Sequence, residues 1–398
     1  MTEDHSKLFT YKFWLLCLSS FLFFASFNLI IPELPDYLTS LGGGDHKGLI
    51  IPLFTLTAGL SRPFSGRLTD TIGRIPIIIY GVLVCIIVGF IYPILTTVFG
   101  FFLLRLIHGM STGFKPTATA AYVGDIAPIS RRGEAMGILG MFGSLGMAAG
   151  PALGSWVALK FGYDWMFYCS SGFALLSIAV VMKMPETLIK RQRFTWALLK
   201  LKRKDIFEPK ALPSAITMAL TAFSFGTILT LIPDLSKHLG IVNKGIFFSI
   251  FTISSLVIRL VAGKLSDKYG RVPILMTGCI LYAVSMFMIG TGTEIWLFYL
   301  SSFIFGIAAG LGSPTIFAWT IDLADENHRG RAMATMFIAL EAGIGVGGVV
   351  AGYSYNNNPD NFVISFTISG ILALAAAGYL IYYMKSLKDK ANPHPQDQ

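Results

Sequence analysis

Charge is scarce in this chain. Of 398 residues only 13% are Asp, Glu, Lys or Arg, while 54% are hydrophobic; soluble domains carry roughly 25% charged residues. A water-soluble fold could not cover that much apolar surface with so few charges, and lipid is the solvent that removes the conflict. Cysteine is scarce too. Cys17, Cys85, Cys169 and Cys279 each lie within an apolar run and none forms a CxxC pair, which argues against a disulfide framework or a zinc site and leaves small buried hydrophobes. Also missing are a phosphate-binding loop, an HExxH motif and paired catalytic histidines. An ATP-driven pump and a membrane enzyme therefore lack their chemistry, and no cofactor or metal is expected. No cleavable leader is evident, because the first apolar run far exceeds an h-region of about 7–15 residues.

What is present is a series of long apolar segments. A spanning helix needs about 20 of them in a row, and such runs lie near 13–38, 48–69, 76–96, 98–121, 134–159, 164–183, 213–237, 245–266, 273–291, 295–320, 332–355 and 362–384. Pro93 and the Thr96-Thr97 pair mark a tight turn between the third and fourth. With the N-terminus cytoplasmic, 23 of the 31 Lys and Arg residues face the cytoplasm and four (Lys47, Lys160, Lys237, Lys244) face outward. The basic excess thus reads as a positive-inside signal and not as a nucleic-acid surface. The expected location is the cell (inner) membrane, with both termini cytoplasmic.

The predicted organisation is an N-terminal six-helix bundle (1–185), a cytoplasmic linker (186–212), a C-terminal six-helix bundle (213–385) and a polar tail (386–398). Phe194 to Leu199, followed by basic residues, reads as an amphipathic helix on the inner leaflet. The linker is too short for a catalytic domain, and a sensor or scaffold would need a partner domain.

One offset of 197 residues superposes the halves. Arg62 falls on Arg259, and Gly66, Asp70, Gly73 and Arg74 fall on Gly263, Asp267, Gly270 and Arg271. Gly109, Gly113, Asp125, the Arg132-Gly133 pair, Gly146 and Gly150 all recur at the same spacing. An even number of helices per unit preserves orientation. The expected fold class is therefore an all-α membrane protein of twelve transmembrane helices in two six-helix parallel pseudo-repeats, with a substrate site at their interface and rocking as the motion.

The duplicated G-x-x-x-D-x-x-G-R loop resembles the signature of the major facilitator superfamily, with Thr71 and Ile75 where Lys or Arg is common. Leu104 to Gly113, with Arg105, is similar to the family's helix-4 motif. Gly146 to Ser155, with Gly150, Pro151 and Gly154, looks like the helix-5 motif of drug–proton antiporters, although Met141 and Ser155 replace its outer glycines. Pro32-Glu33-Leu34-Pro35 resembles the end of helix 1 in twelve-helix efflux members. The resemblance implies a cavity lined by helices 1, 4, 7 and 10, and a charge latch at the Asp70–Arg74 and Asp267–Arg271 loops that holds one gate state. The three glycines permit close helix contact, either static or sliding between halves, and Pro151 can bend its helix.

Ionisable groups inside spans are costly, roughly 2.5–3.5 kcal/mol each on insertion scales, and mark function by default. Glu341 lies near mid-membrane opposite no repeat counterpart, since Ser144 stands at the related position. Burial disfavours an ionised carboxylate, which makes Glu341 a candidate proton carrier. Arg105, His108, Thr112, Lys115 and Thr119 share one face of helix 4, which must look inward, to bind an anion or to pair with Glu341 or Glu33. His108 is a second proton candidate, and Lys115 could instead snorkel. Helix 1 aligns Ser19, Ser26 and Glu33, with Asn28 elsewhere on it; Glu33 is near enough to the outer end for solvent to reach. Helix 7 aligns Thr217, Thr221 and Ser224. These features lead to a secondary transporter, monomeric in the bilayer, that couples protons to small-molecule efflux. Symport of an anionic nutrient or metabolite is the alternative, and a non-transporting membrane sensor the second.

Overall fold

The computed structural model describes residues 10–128, 132–188, 191–200, 207–292, 294–324 and 329–391. Among them no strand occurs, and twelve long helices follow the order of the apolar runs. In the first half these are α1 (Tyr11–Ile30, prolonged by a 3-10 turn and the short helix Leu34–Ser40), α2 (Ile50–Thr71), α3 (Arg74–Ile91), α4 (Val98–Ile126), α5 (Arg132–Phe161) and α6 (Tyr163–Val181). In the second they are α7 (Leu212–His238), α8 (Ile246–Tyr269), α9 (Arg271–Thr291), α10 (Ile295–Leu323), α11 (Arg329–Tyr355) and α12 (Phe362–Ala391).

Ten of them meet length and hydropathy requirements for crossing a membrane, while α2 and α4 do not. The reason is their cargo of Arg62, Arg67 and Asp70, and of Arg105, Lys115 and Asp125, carried on helices that pack inside the bundle. The expected turn at the α3–α4 junction is present, with the Thr97 hydroxyl accepting from the Gly100 amide at 3.1 Å. Gly73 (φ +138°) and Gly270 (φ +89°) hold the repeated α2–α3 and α8–α9 turns in a conformation that favours glycine.

Lipid tails give helices no hydrophobic reason to associate, so close backbone contact does the work. Gly146, Gly150 and Gly154 of α5 lie against the α1 backbone, and Gly343 and Gly347 of α11 lie against α7. Gly109 and Gly113 of α4 abut α2, and Gly306 and Gly310 of α10 abut α8. The halves meet chiefly through α2 on α11 and α5 on α8. These pairings are repeat-related, as two parallel units about an axis along the membrane normal require.

The stretch 191–200 differs from expectation. In place of an amphipathic helix it has extended backbone and a single 3-10 turn at Trp196–Leu199. Leu198 is buried against the first half, and Phe194 and Leu199 cap an apolar groove of about 570 Å³ between α2, α3 and α4. α12 continues to Ala391, into the stretch read as the polar tail; 392–398 lie outside the described residues, as do 129–131 and the side chains of Arg132 and Arg329.

Candidate functional site

Two repeat-related contacts join the halves near the middle of their helices. Thr55, Gly59 and Arg62 lie on one face of α2 at helical spacing, turned toward α11. Gly59 lets the Glu341 side chain approach. Arg62 Nη2 donates to Glu341 Oε1 at 2.6 Å, with both side chains largely buried and the guanidinium over the Phe337 ring at 4.7 Å. At the related positions, Arg259 Nη1 donates to the Ser144 hydroxyl at 3.0 Å and Nη2 to the Ser313 hydroxyl at 3.4 Å. One arginine thus has a carboxylate and the other two hydroxyls.

Arg259 lines a cavity of about 230 Å³. Its wall combines Thr217, Thr221 and Phe225 of α7, Ser255 of α8, Tyr282 of α9, Gly312 and Phe317 of α10, Leu340 of α11 and Ser144 of α5. The space has a sequence cause. In the first half Lys115 packs on Gly81 and fills the corresponding volume. The repeat mates of Lys115 and Gly81 are Gly312 and Gly278, which leave it open.

The end of the bundle bearing the α1–α2 and α7–α8 loops is closed by ion pairs between halves. Lys47 meets Asp234 at 2.9 Å, and Lys244 meets Glu33 at 2.8 Å and Asp36 at 2.7 Å. Burial opposes the charged form of Lys244, but the Glu33 and Asp36 carboxylates outweigh it and hold the ammonium above the usual lysine range. Behind these pairs Gly48 and Gly352 bring the α2 and α11 ends into backbone contact.

At the opposite end the repeated loops bond within their own halves. Arg74 reaches Asp70 at 3.0 Å and Asp125 at 3.1 Å, and Arg271 reaches Asp267 at 2.5 Å and Asp322 at 3.0 Å. The Glu186 carboxylate also accepts from the amides of Arg74 (3.0 Å) and Ile75 (2.9 Å), tying the first loop to the start of the linker. Gly66 and Gly263 stand in open space beside these loops, where an added methyl would meet nothing.

The remaining candidates are dispersed. None of Glu33, Asn28, Arg105, His108, Lys115 and Glu341 lines the cavity, although Leu340 beside Glu341 does. Arg105 pairs with neither Glu341 nor Glu33: its Nε donates to the Ile50 carbonyl at 2.9 Å, and its guanidinium covers Phe54 at 4.6 Å. Lys115 does not snorkel; it is fully buried and donates to the Ser20 hydroxyl at 2.9 Å. His108 Nε2 lies 3.2 Å from Cys85 Sγ. Asn28 donates to the Phe24 carbonyl of its own helix at 2.8 Å. Glu33 is only 3% exposed, because Ser155 and Lys244 enclose it. The helix-1 stripe faces neighbouring helices of its half, with Ser19 on Ser177 and Ser26 on Ser170. In the helix-7 stripe Thr217 and Thr221 line the cavity, while Ser224 donates to Ser369 on α12. The cavity therefore draws on α5 and α7–α11, and helices 1 and 4 contribute nothing to it. Pro151 differs from its glycine neighbours, since its carbonyl faces Gly245 of the other half.

A profile described as Major Facilitator Superfamily matches residues 16–242 and again 214–398. The chain belongs to the major facilitator superfamily. Among superfamily relatives, it is 28% identical to Multidrug resistance protein 2 of Bacillus subtilis, over 95% of this chain and 96% of that one. It is 26% identical to the Multi-drug resistance efflux pump PmrA of Streptococcus pneumoniae, over 93% and 96%. Its fold also superposes on a peptide transporter crystallised with sulfate, with a TM-score of 0.79 at 17% identity, covering 94% of each chain. It is a multi-pass membrane transporter of the superfamily type, acting on small molecules.

Within this superfamily chain the residues that sequence reasoning passed over are Arg62, Arg259, Asp36, Asp234, Lys47 and Lys244. A signal existed for each. Arg62 and Arg259 repeat inside spans, Lys47 and Lys244 repeat at the common offset, and a Pro-Asp pair recurs at Pro35-Asp36 and Pro233-Asp234. The lysines lie 197 residues apart and the Pro-Asp pairs 198, so both members of the ion pair recur between the halves.

Proposed function

We propose that the protein is a proton-coupled exporter that works by alternating access between its two six-helix halves, with its repeated loops and both chain ends on the cytoplasmic side of the inner membrane. The observation that carries this reading is the Arg62–Glu341 ion pair across the halves, near the middle of their helices. Removing one partner from a buried pair leaves an uncompensated charge, so an ionised Glu341 holds α2 against α11. Protonation neutralises the carboxylate and frees the two helices to part, which couples a proton to the rocking step. In the arrangement described here the pair is formed and the Lys47–Asp234 and Lys244–Glu33–Asp36 pairs close the outer end. This corresponds to the state that has released its proton inward. Efflux as the direction draws on the relatives named for drug resistance, and the basic bias of the cytoplasmic loops supports the orientation. The same geometry serves a monomer, since both halves come from one chain.

The test uses purified protein in liposomes with an imposed pH gradient and an amphiphilic fluorescent dye. Gradient-driven dye movement by the wild type that is lost in Glu341→Gln supports the proposal. Equal movement with and without the gradient in both proteins removes proton coupling. Symport of an anionic nutrient receives no support from Arg105 and Lys115, whose charged groups are satisfied inside their own half.

A further inference from the structure

We propose that Arg259 and Ser255 form the recognition site for an acidic group, so that the substrate is an amphiphilic organic anion with a carboxylate or related oxyanion at one end and an apolar, aromatic-compatible body. This rests on the transport reading above and gives it a substrate class.

The first argument is symmetry. Arg62 and Arg259 occupy equivalent positions and make equivalent cross-half contacts, but Glu341 answers Arg62 where Ser144 answers Arg259. Among the described residues no carboxylate lies within ion-pair distance of Arg259. A guanidinium cannot shed its charge, and the two hydroxyls that meet Arg259 supply hydrogen bonds but no counter-charge. The first half has its own; in the second half the missing carboxylate is the substrate's.

The second argument is unsatisfied hydrogen bonding. Arg259 Nε and Ser255 Oγ are both buried and both without a partner. They lie one turn apart on α8, on the same face, and both residues line the cavity. Leaving a buried donor unpaired is costly. Both residues stand in the wall of one cavity with an unanswered polar atom, and an oxyanion supplies acceptors to Arg in the geometry the guanidinium favours. Arg62 Nε is also unpartnered, but its guanidinium already holds a carboxylate.

The third argument is the rest of the wall. Arg259 is the charged residue among the described residues lining the cavity; around it stand Phe225, Phe251, Phe317, Met147, Met218 and Leu340. Such a pocket fixes orientation through a few polar groups and takes an apolar body elsewhere. Gly312, in place of the lysine that fills the related volume, makes the room.

The experiment compares three isosteric probes, naphthoate, naphthamide and naphthylmethylammonium, by thermal shift of the full chain in detergent and by counterflow in proteoliposomes. The expected result is naphthoate binding at least about tenfold tighter than the amide or the ammonium, with the preference abolished in Arg259→Gln and partly retained in Arg259→Lys. Ser144→Glu keeps the inference open to refutation if Arg259→Gln fails to fold. It supplies the internal carboxylate found in the related contact and is expected to displace naphthoate while leaving thermal stability intact. Equal affinity for all three probes, no binding of any, or a carboxylate preference that survives both Arg259→Gln and Ser144→Glu would overturn it. Gradient-driven movement of the ammonium probe without carboxylate preference would sink this inference and leave the transport reading standing. Carboxylate preference without gradient dependence would uphold it and remove the proton coupling.

Discussion

Arg259 donates to Ser144 at 3.0 Å in the place where, across the pseudo-symmetry axis, Arg62 meets Glu341 at 2.6 Å. Two copies of one contact have diverged by a single carboxylate. The half-interface with the acid joins the halves through an ion pair. The one without it opens on a cavity.

Removing the Glu341 carboxylate has two separable effects. Glu341→Ala leaves Arg62 buried without its partner and is expected to lower stability by about 3–5 kcal/mol, read as a fall in melting temperature in detergent. The Arg62→Gln, Glu341→Gln double variant removes both charges and is expected to regain most of that loss while remaining insensitive to a pH gradient. A double variant no more stable than Glu341→Ala would argue against a direct pair.

The ion pairs of Lys47 with Asp234 and of Lys244 with Glu33 and Asp36 are expected to set the resting conformation. Charge removal in Lys244→Gln together with Asp234→Asn is expected to lengthen the distance between spin labels at Thr39 and Asn357, exposed residues on opposite halves. An unchanged distance distribution would remove these pairs from the gate.

The pH response of that gate follows from Lys244. Its ammonium is held above the ordinary lysine range, so the pairing contribution is complete below the unfolded value, near pH 10.4 for lysine, and is lost only as pH rises through the higher native value. Between about pH 7 and about pH 9 the Thr39–Asn357 distance in wild type, measured without substrate or gradient, is expected to stay constant. A shift centred in that window would show that the distance follows a group other than Lys244.

Glycines within a half and between halves are expected to behave differently. A methyl at Gly154 collides with the Leu29 carbonyl of α1 in the same half. Gly154→Ala is therefore expected to cost about 1–3 kcal/mol by overpacking. A methyl at Gly352 collides instead with Gly48 across the closing interface, so Gly352→Ala is expected to keep its melting temperature and shift the spin-label distances toward an open outer end. Equal loss of stability in both variants would make the Gly48–Gly352 contact ordinary packing.

Much of the architecture was readable without coordinates because its causes are periodic. Helix length, lipid and the 197-residue offset together account for twelve spans and their pairing. Linker residues 194–199 escaped, because an apolar cluster beside basic residues looks alike whether it lies on lipid as a helix or folds onto the bundle as one 3-10 turn. The site was less legible. The helix-4 stripe of Arg105, His108 and Lys115 is buried, in the packed interior of one half. Burial of a charge marks cost, and a backbone carbonyl or a serine hydroxyl can meet that cost as well as a substrate does.

By itself the sequence determined the spans, the duplication and which residues are repeat-related, since each follows from spacing along the chain. Only the tertiary structure decided which buried cations are already answered. Partnership depends on what a neighbouring helix places within about 3 Å of the donor, and that neighbour lies far away in the sequence. Arg105 finds Ile50, Arg62 finds Glu341 and Arg259 finds two hydroxyls and an empty space.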